Sequence, residues 1–182
     1  PVIAAGGIAD GRGLAAALAL GADGVAMGTR LMTTKESPLH EGYKRLSIEK
    51  EATDTLFSNR FDGLLCRVLK TDAASRAIAR GLDLPAAFRN SREIARQIHA
   101  PYWKLCLGVM ASGWKNARQM AFMANAFKAI RVATEEGDTK EGVLPAGQVT
   151  GLIHDEPTIA ELFERFVAEA KTIQQQLAVK IG

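Results

Sequence analysis

The first apolar run, Val2-Ile3-Ala4-Ala5, ends in Gly6-Gly7 and predicts a buried strand of a parallel sheet. Asp10 is placed to cap a helix through Leu14-Ala15-Ala16-Ala17-Leu18-Ala19-Leu20, and Gly21 sits where a helix-ending glycine belongs. Gly24-Val25-Ala26-Met27 is a second short apolar run, closed by Gly28-Thr29-Arg30. Strand, helix and strand in so few residues form a βαβ unit, with small helix residues allowing close approach to the sheet.

After Thr33 the pattern changes to helical spacing. Ser37-Pro38 predicts the start of a helix carrying Tyr43, Leu46 and Ile48. Signals over 53–67 are mixed, and the run from Leu64 to Leu69 suits either a strand or a buried extended segment. Thr71-Asp72 opens a helix ending near Gly81, and Ser91 is read as the cap of another that contains Ile94 and Ile98. A long helical pattern rich in Met and Ala runs from Ser112 to about Glu136, stopped by Gly137-Asp138. A glycine-containing loop spans 142–153. The last helix begins at Glu156-Pro157 with a stripe of Ile159, Leu162, Phe163, Phe166, Val167, Ala170, Ile173 and Leu177.

Two parallel strands need neighbours on both edges and helices on both faces. The expected class is therefore α/β: the end of a barrel or sheet over 1–33, a mostly helical domain over 34–155, and a carboxyl-terminal helix over 156–182 packing back on the barrel. A chain opening in mid-strand, without Met, reads as the carboxyl-terminal part of a longer polypeptide.

Composition narrows the function classes. With 47% hydrophobic and 24% charged residues the chain is globular, which excludes disordered, collagen-like and disulfide-stapled proteins. No apolar run approaches the roughly 20 residues of a membrane span. The net charge of +3 comes from interspersed charges, without a basic stripe, so neither nucleic acid nor membrane is an expected partner. Cys66 and Cys106 lack a CxxC spacing and read as reduced thiols of a cytoplasmic protein.

The candidate chemistry lies at the strand ends. Gly6-Gly7 and Gly28-Thr29 both follow parallel strands, where α/β folds place ligands. Glycine lets backbone N–H groups approach an anion, and Thr29 adds a hydroxyl, so one phosphate held between the two turns is predicted. The alternative is that the glycines only permit tight turns.

The runs Pro1-Val2-Ile3-Ala4-Ala5-Gly6-Gly7-Ile8-Ala9-Asp10-Gly11-Arg12-Gly13, Ala19-Leu20-Gly21-Ala22-Asp23-Gly24-Val25 and Met27-Gly28-Thr29-Arg30 resemble the flavin-binding end of the nitronate monooxygenase (2-nitropropane dioxygenase) family. Gly137-Asp138, Gly142, Ala146-Gly147-Gln148, Gly151-Leu152-Ile153, Asp155 and Pro157 resemble its closing motif. The resemblance implies the last two β/α units of a TIM-type (β/α)8 barrel and an FMN cofactor. Its phosphate would be contacted by Gly7, Ala26, Met27, Gly28 and Thr29, with Gly6 adjacent. The implied reaction is oxidation of a nitronate by O2 to a carbonyl compound and nitrite. Relatives with the same loops are NAD(P)H-dependent reductases of quinones or enoyl thioesters, and a non-catalytic interaction module is a further alternative.

The family's catalytic His lies upstream of these residues, and His40, His99 and His154 do not match its motif. Gln148 is a substrate-side or flavin-side candidate, in balance with a structural role. The Trp114-Met120-Met123-Phe127 stripe reads as core more readily than as a cavity wall. Asp155-Glu156 reads as a helix boundary rather than an acid–base pair, and Lys44, Lys104 and Lys128 have no evident partner.

Overall fold

The computed structural model describes residues 1–181. The chain divides into two compact units, one of residues 1–55 with 146 onward, the other of 56–145.

In the first unit, β1 (Ile3–Ala5) and β2 (Gly24–Ala26) pair in parallel, with Ile3 opposite Gly24 and Ala5 opposite Ala26. Between them runs α1 (Gly11–Ala19), whose cap Asp10 accepts from the amides of Arg12 and Gly13. At its other end, the Gly21 amide bonds Leu18 O and the Ala22 amide bonds Ala17 O, with Gly21 at φ +92°. That is a Schellman closure, and glycine supplies the left-handed residue it requires. The expected βαβ unit is thus present.

The strands are less buried than expected. Ala4 and Val25 face a cluster built on Ile8, Leu162 and Phe166, whereas Ile3 is 53% exposed. Among the described residues no further strand joins the pair, and the apolar cluster lies on the face that bears Ala4 and Val25.

α8 (Ile159–Ile181) covers that face. A Cβ on Gly11 would lie 2.5 Å from the Phe166 carbonyl oxygen and 2.7 Å from the Ala170 nitrogen, so α1 and α8 meet backbone to backbone. Glu169 of α8 also accepts from the Gly11 amide at 2.7 Å, satisfying an amide that has no partner within its own helix. Of the predicted α8 stripe, Leu162 and Phe166 are buried, while Phe163 and Val167 are about half exposed.

α2 (Thr29–Met32) and α3 (Glu41–Glu49) complete the unit with a 3-10 turn, Gln148–Leu152. α3 does not start at Ser37-Pro38. His40 keeps an extended ψ of 137°, its Nδ1 accepts from the Gly42 amide, and the helix begins one residue later. Residues 34–55 and 146–155, expected with the helical part, fall in this unit. Thr150 donates its hydroxyl to Ser47 O at 2.7 Å, and Val149 and Ile153 pack with Ala9 and Ile48.

The second unit contains β3 (Thr55–Ser58) paired with β4 (Cys66–Leu69), followed by α4 (Asp72–Arg80), α5 (Leu84–Gln97), α6 (Tyr102–Ala111) and α7 (Trp114–Arg131). Its core gathers Phe61, Val68, Ala73, Ala74, Ala126 and Val143. Thr71 and Gly81 bound α4 as read from sequence. Ser91 is interior to α5, because Asp83 caps the helix earlier and Pro85 suits its first turn. α5 closes with His99 at φ +52°, the Ala100 amide reaching Ala95 O and the His99 amide reaching Arg96 O. A non-glycine residue here holds the left-handed position that Gly21 holds in α1.

The long pattern from 112 is α7 plus one π turn, Val132–Glu136, ended by left-handed Gly137. Its Trp114-Met120-Met123-Phe127 stripe is not core in this chain, since these side chains are 42–81% exposed. α6, unanticipated from sequence, carries no buried residue and has no polar face to give it a period. Among the described residues no helix is long and apolar enough to cross a membrane.

Candidate phosphate-binding site

The register that sets Ala5 beside Ala26 also sets Gly6-Gly7 and Met27-Gly28 at neighbouring carboxyl ends of the two strands. Parallel strands lie about 4.8 Å apart, close enough for two such turns to face one small group. Gly6 and Gly7 have φ of +88° and +75°, and a Cβ on either would meet nothing within 4 Å. Backbone conformation selects glycine here, and the space above the turn is open. Gly28 has ordinary φ and is likewise open. The Gly7 amide donates to no group among the described residues.

Thr29 does more than add a hydroxyl. Its Oγ1 accepts the backbone N–H of Gly147 at 3.0 Å, which ties the second turn to the closing segment. A threonine hydroxyl has one proton and two lone pairs, so this bond leaves the O–H free to donate. Gln148, the next residue, is exposed at the start of the 3-10 turn. Ala26 is exposed as well, whereas the Met27 side chain packs toward Leu162 and Phe166, leaving only its backbone for a ligand.

The remaining closing-segment glycines are explained by packing. A Cβ on Gly151 would lie 2.5 Å from the Ala52 nitrogen, and one on Gly142 would lie 2.7 Å from the Ala133 backbone.

Charge around the turns is settled by pairs that the sequence reading missed. Arg30, next to Thr29, is 4% exposed and turned inward, donating to Asp155 Oδ1 at 2.6 Å and to the Asp155 carbonyl at 3.1 Å. Burial pushes the Asp155 carboxyl up, but Arg165 and Arg30 outweigh it and hold the group below its ordinary value. Lys44 is 1% exposed, with its Nζ 3.0 Å from both Glu156 and Glu41. Burial would lower the Lys44 ammonium, and those two carboxylates more than offset it, so it is held above its ordinary 10.5. Asp155 and Glu156 are thus ion-pair acceptors rather than an acid–base pair. Arg165 lies ten residues from Asp155, but Arg30 and Lys44 lie more than a hundred residues from their carboxylates, and no spacing rule reveals those two pairs.

The turns therefore present donors without a competing carboxylate, because Asp10 is engaged by Arg12 and the α1 amides. That donor set suits a phosphate dianion. His40 is a helix cap, His99 ends α5 and His154 is exposed, so none of the three enters the turns. Among the described residues no cluster of His, Cys, Asp and Glu is arranged to hold a metal ion.

A parallel βαβ unit with open glycine turns at the carboxyl ends of two adjacent strands defines an α/β protein. The chain belongs to the nitronate monooxygenase family, whose model matches residues 1–169. It is 39% identical over 175 residues, 93% of the chain, to a Rhodococcus jostii protein named (3aS,4S,5R,7aS)-5-hydroxy-7a-methyl-1-oxo-octahydro-1H-indene-4-carboxyl-CoA dehydrogenase, and covers 50% of that protein. It is 44% identical to a probable nitronate monooxygenase of Staphylococcus saprophyticus over 72 residues, 40% of the chain and 20% of that protein. Among solved structures, FabK from Thermotoga maritima superposes with a TM-score of 0.69 and 32% identity over 100% of the chain and 47% of FabK. The chain spans about half the length of the curated relatives it matches across most of its residues.

Proposed function

We propose that this chain supplies the phosphate-binding end of an FMN-dependent oxidoreductase acting on a coenzyme A thioester, with β1–α1–β2 as the last two β/α units of a (β/α)8 barrel. The observation that carries the flavin reading is the pair of left-handed glycines beside a threonine whose hydroxyl proton is left free by Gly147. The backbone of Gly6, Gly7, Ala26, Met27 and Gly28, with the Thr29 hydroxyl, would hold the FMN phosphate. Gln148, exposed one residue beyond Gly147, would meet the substrate side as donor or acceptor.

When bound, the flavin supplies the redox chemistry. The residues of this chain bind and orient: donors at the turns fix the phosphate, and Gly147 holds the Thr29 rotamer. The thioester reading is supported by likeness over 93% of the chain to a protein named as a carboxyl-CoA dehydrogenase. The second reading, oxidation of a nitronate by O2, is supported by the family and by the shorter 72-residue match.

The test is to purify the protein from its complete reading frame and record its visible spectrum, then compare FMN with riboflavin, which lacks the phosphate. A yellow protein that prefers FMN at least tenfold is expected. A colourless protein, or one indifferent to the phosphate, overturns the reading. Anaerobic bleaching by NAD(P)H or an acyl-CoA would favour thioester chemistry, and nitrite release from propyl-2-nitronate in air would favour the second reading.

A further inference from the structure

Thr29 and Arg30 are consecutive in the chain and are held by opposite ends of one segment. Gly147, which opens the closing segment, donates its amide to Thr29 Oγ1 at 3.0 Å. Asp155, at the far end, takes both terminal nitrogens of Arg30: Nη2 reaches its carboxylate at 2.6 Å and Nη1 its carbonyl at 3.1 Å. The segment between is itself anchored, because Thr150 donates to Ser47 O at 2.7 Å and Ile153 is fully buried beside Ala9. Arg30 Nη1 also donates to the Thr33 hydroxyl at 3.2 Å, and that hydroxyl returns a bond to the Arg30 carbonyl at 2.8 Å. The second Asp155 oxygen accepts from Arg165 of α8 at 2.6 Å.

A cation beside an anion-binding turn would ordinarily be read as a ligand to the anion. Arg30 is not placed for that: it is 4% exposed, and its guanidinium points inward to Asp155. What it controls is the backbone of the second turn. The Gly147 bond fixes the Thr29 side chain, and the Arg30 fork fixes the residue that follows, so the two together set where the Thr29 hydroxyl points. A planar guanidinium meeting two acceptors is held in one orientation, whereas a lysine ammonium is a point charge that can swivel.

We propose that Arg30 is the positioning residue of the phosphate site: it does not meet the phosphate, and it presets Gly28-Thr29 by clamping them to Asp155. This rests on the reading that the glycine turns hold the FMN phosphate. Donors that are already fixed lose little freedom when the ligand arrives, so the effect falls on the phosphate and not on the rest of the flavin.

The experiment is a fluorescence titration of the protein from its complete reading frame with FMN and with riboflavin, alongside urea unfolding of each variant. Arg30→Gln should weaken FMN by about tenfold, the order that supporting partners contribute to a site, and leave riboflavin little changed. Arg30→Lys keeps the charge without the fork and should lose part of the FMN preference; it carries the test if Arg30→Gln does not fold. Lys44→Met removes another buried cation of the same unit, one tied to Glu156 and not to the turn. It should lower stability and keep the FMN preference. Equal losses of FMN and riboflavin in the Arg30 variants, or a preference that falls as far in Lys44→Met, would make Arg30 merely structural and overturn the proposal. A wild-type protein indifferent to the phosphate overturns the flavin reading and this proposal with it. A wild type that prefers FMN, with Arg30 variants that prefer it equally, overturns this proposal alone.

Discussion

Gly147 donates its backbone N–H to the Thr29 hydroxyl oxygen at 3.0 Å across 118 positions of sequence. One side chain thereby fastens the closing segment and leaves its own proton free to donate. Hydrogen bonds to charged groups contribute about 1.5–3 kcal/mol, or roughly ten- to a hundredfold in affinity. Thr29→Val should weaken FMN by that range while leaving riboflavin nearly unchanged, and Thr29→Ser should restore FMN. Fluorescence quenching titrations of the three proteins would read this, and equal losses for both flavins would contradict it.

Gly11 and Gly108 make opposite predictions from the same substitution. Gly11→Ala forces a methyl onto the α8 backbone and should destabilise by about 1–3 kcal/mol or more. Gly108→Ala, in α6 with nothing within 4 Å, should stabilise by about 0.5–1 kcal/mol. Urea unfolding of both variants tests the α1–α8 contact directly.

Lys44 gives a pH signature. Its folded pKa is raised above 10.5, so the stability it contributes is complete below that value and lost as pH rises through the higher folded value. Unfolding midpoints should therefore fall on the alkaline side in wild type, with a smaller fall in Lys44→Met. Glu156→Ala should cost about 3 kcal/mol near neutral pH, because it strips a partner from a buried ammonium. Glu41→Ala should cost less, as Glu41 is the more exposed carboxylate.

Cys66 should be chemically quiet. Burial and the nearby Asp62 carboxylate push its thiol up to about 11 from 9.0. Two pH units lower the thiolate fraction about a hundredfold, and the thiolate is the reactive form. Iodoacetamide labelling followed by mass spectrometry at pH 8 should leave Cys66 largely unmodified, with a rate climbing toward pH 11.

What was legible in the sequence was local. Asp10, Gly21, Thr71, Gly81 and Gly137 bound their elements as read, because a cap or a left-handed glycine acts within one turn of its helix. The glycine pairs at the strand ends were legible for the same reason. Ser37 and Ser91 misled because competing caps at His40 and Asp83 set the helix starts instead. Arg30–Asp155, Lys44–Glu156 and Thr29–Gly147 were illegible, since each joins the two ends of the first unit through contacts that no periodicity encodes. The Trp114-Met120-Met123-Phe127 stripe carried a helical period without the burial that the period suggests.

The backbone contact between Gly11 and α8 also sets an order of events at the ribosome. The face of α1 that bears Gly11 stays unsealed until Phe166 and Glu169 have been synthesised. Residues 56–145, whose core draws only on themselves, emerge complete before then. Nascent β1 and β2 must therefore wait, apolar and unroofed, while an entire neighbouring unit folds. That places the early burden of chaperone protection on the segment that carries the glycine turns.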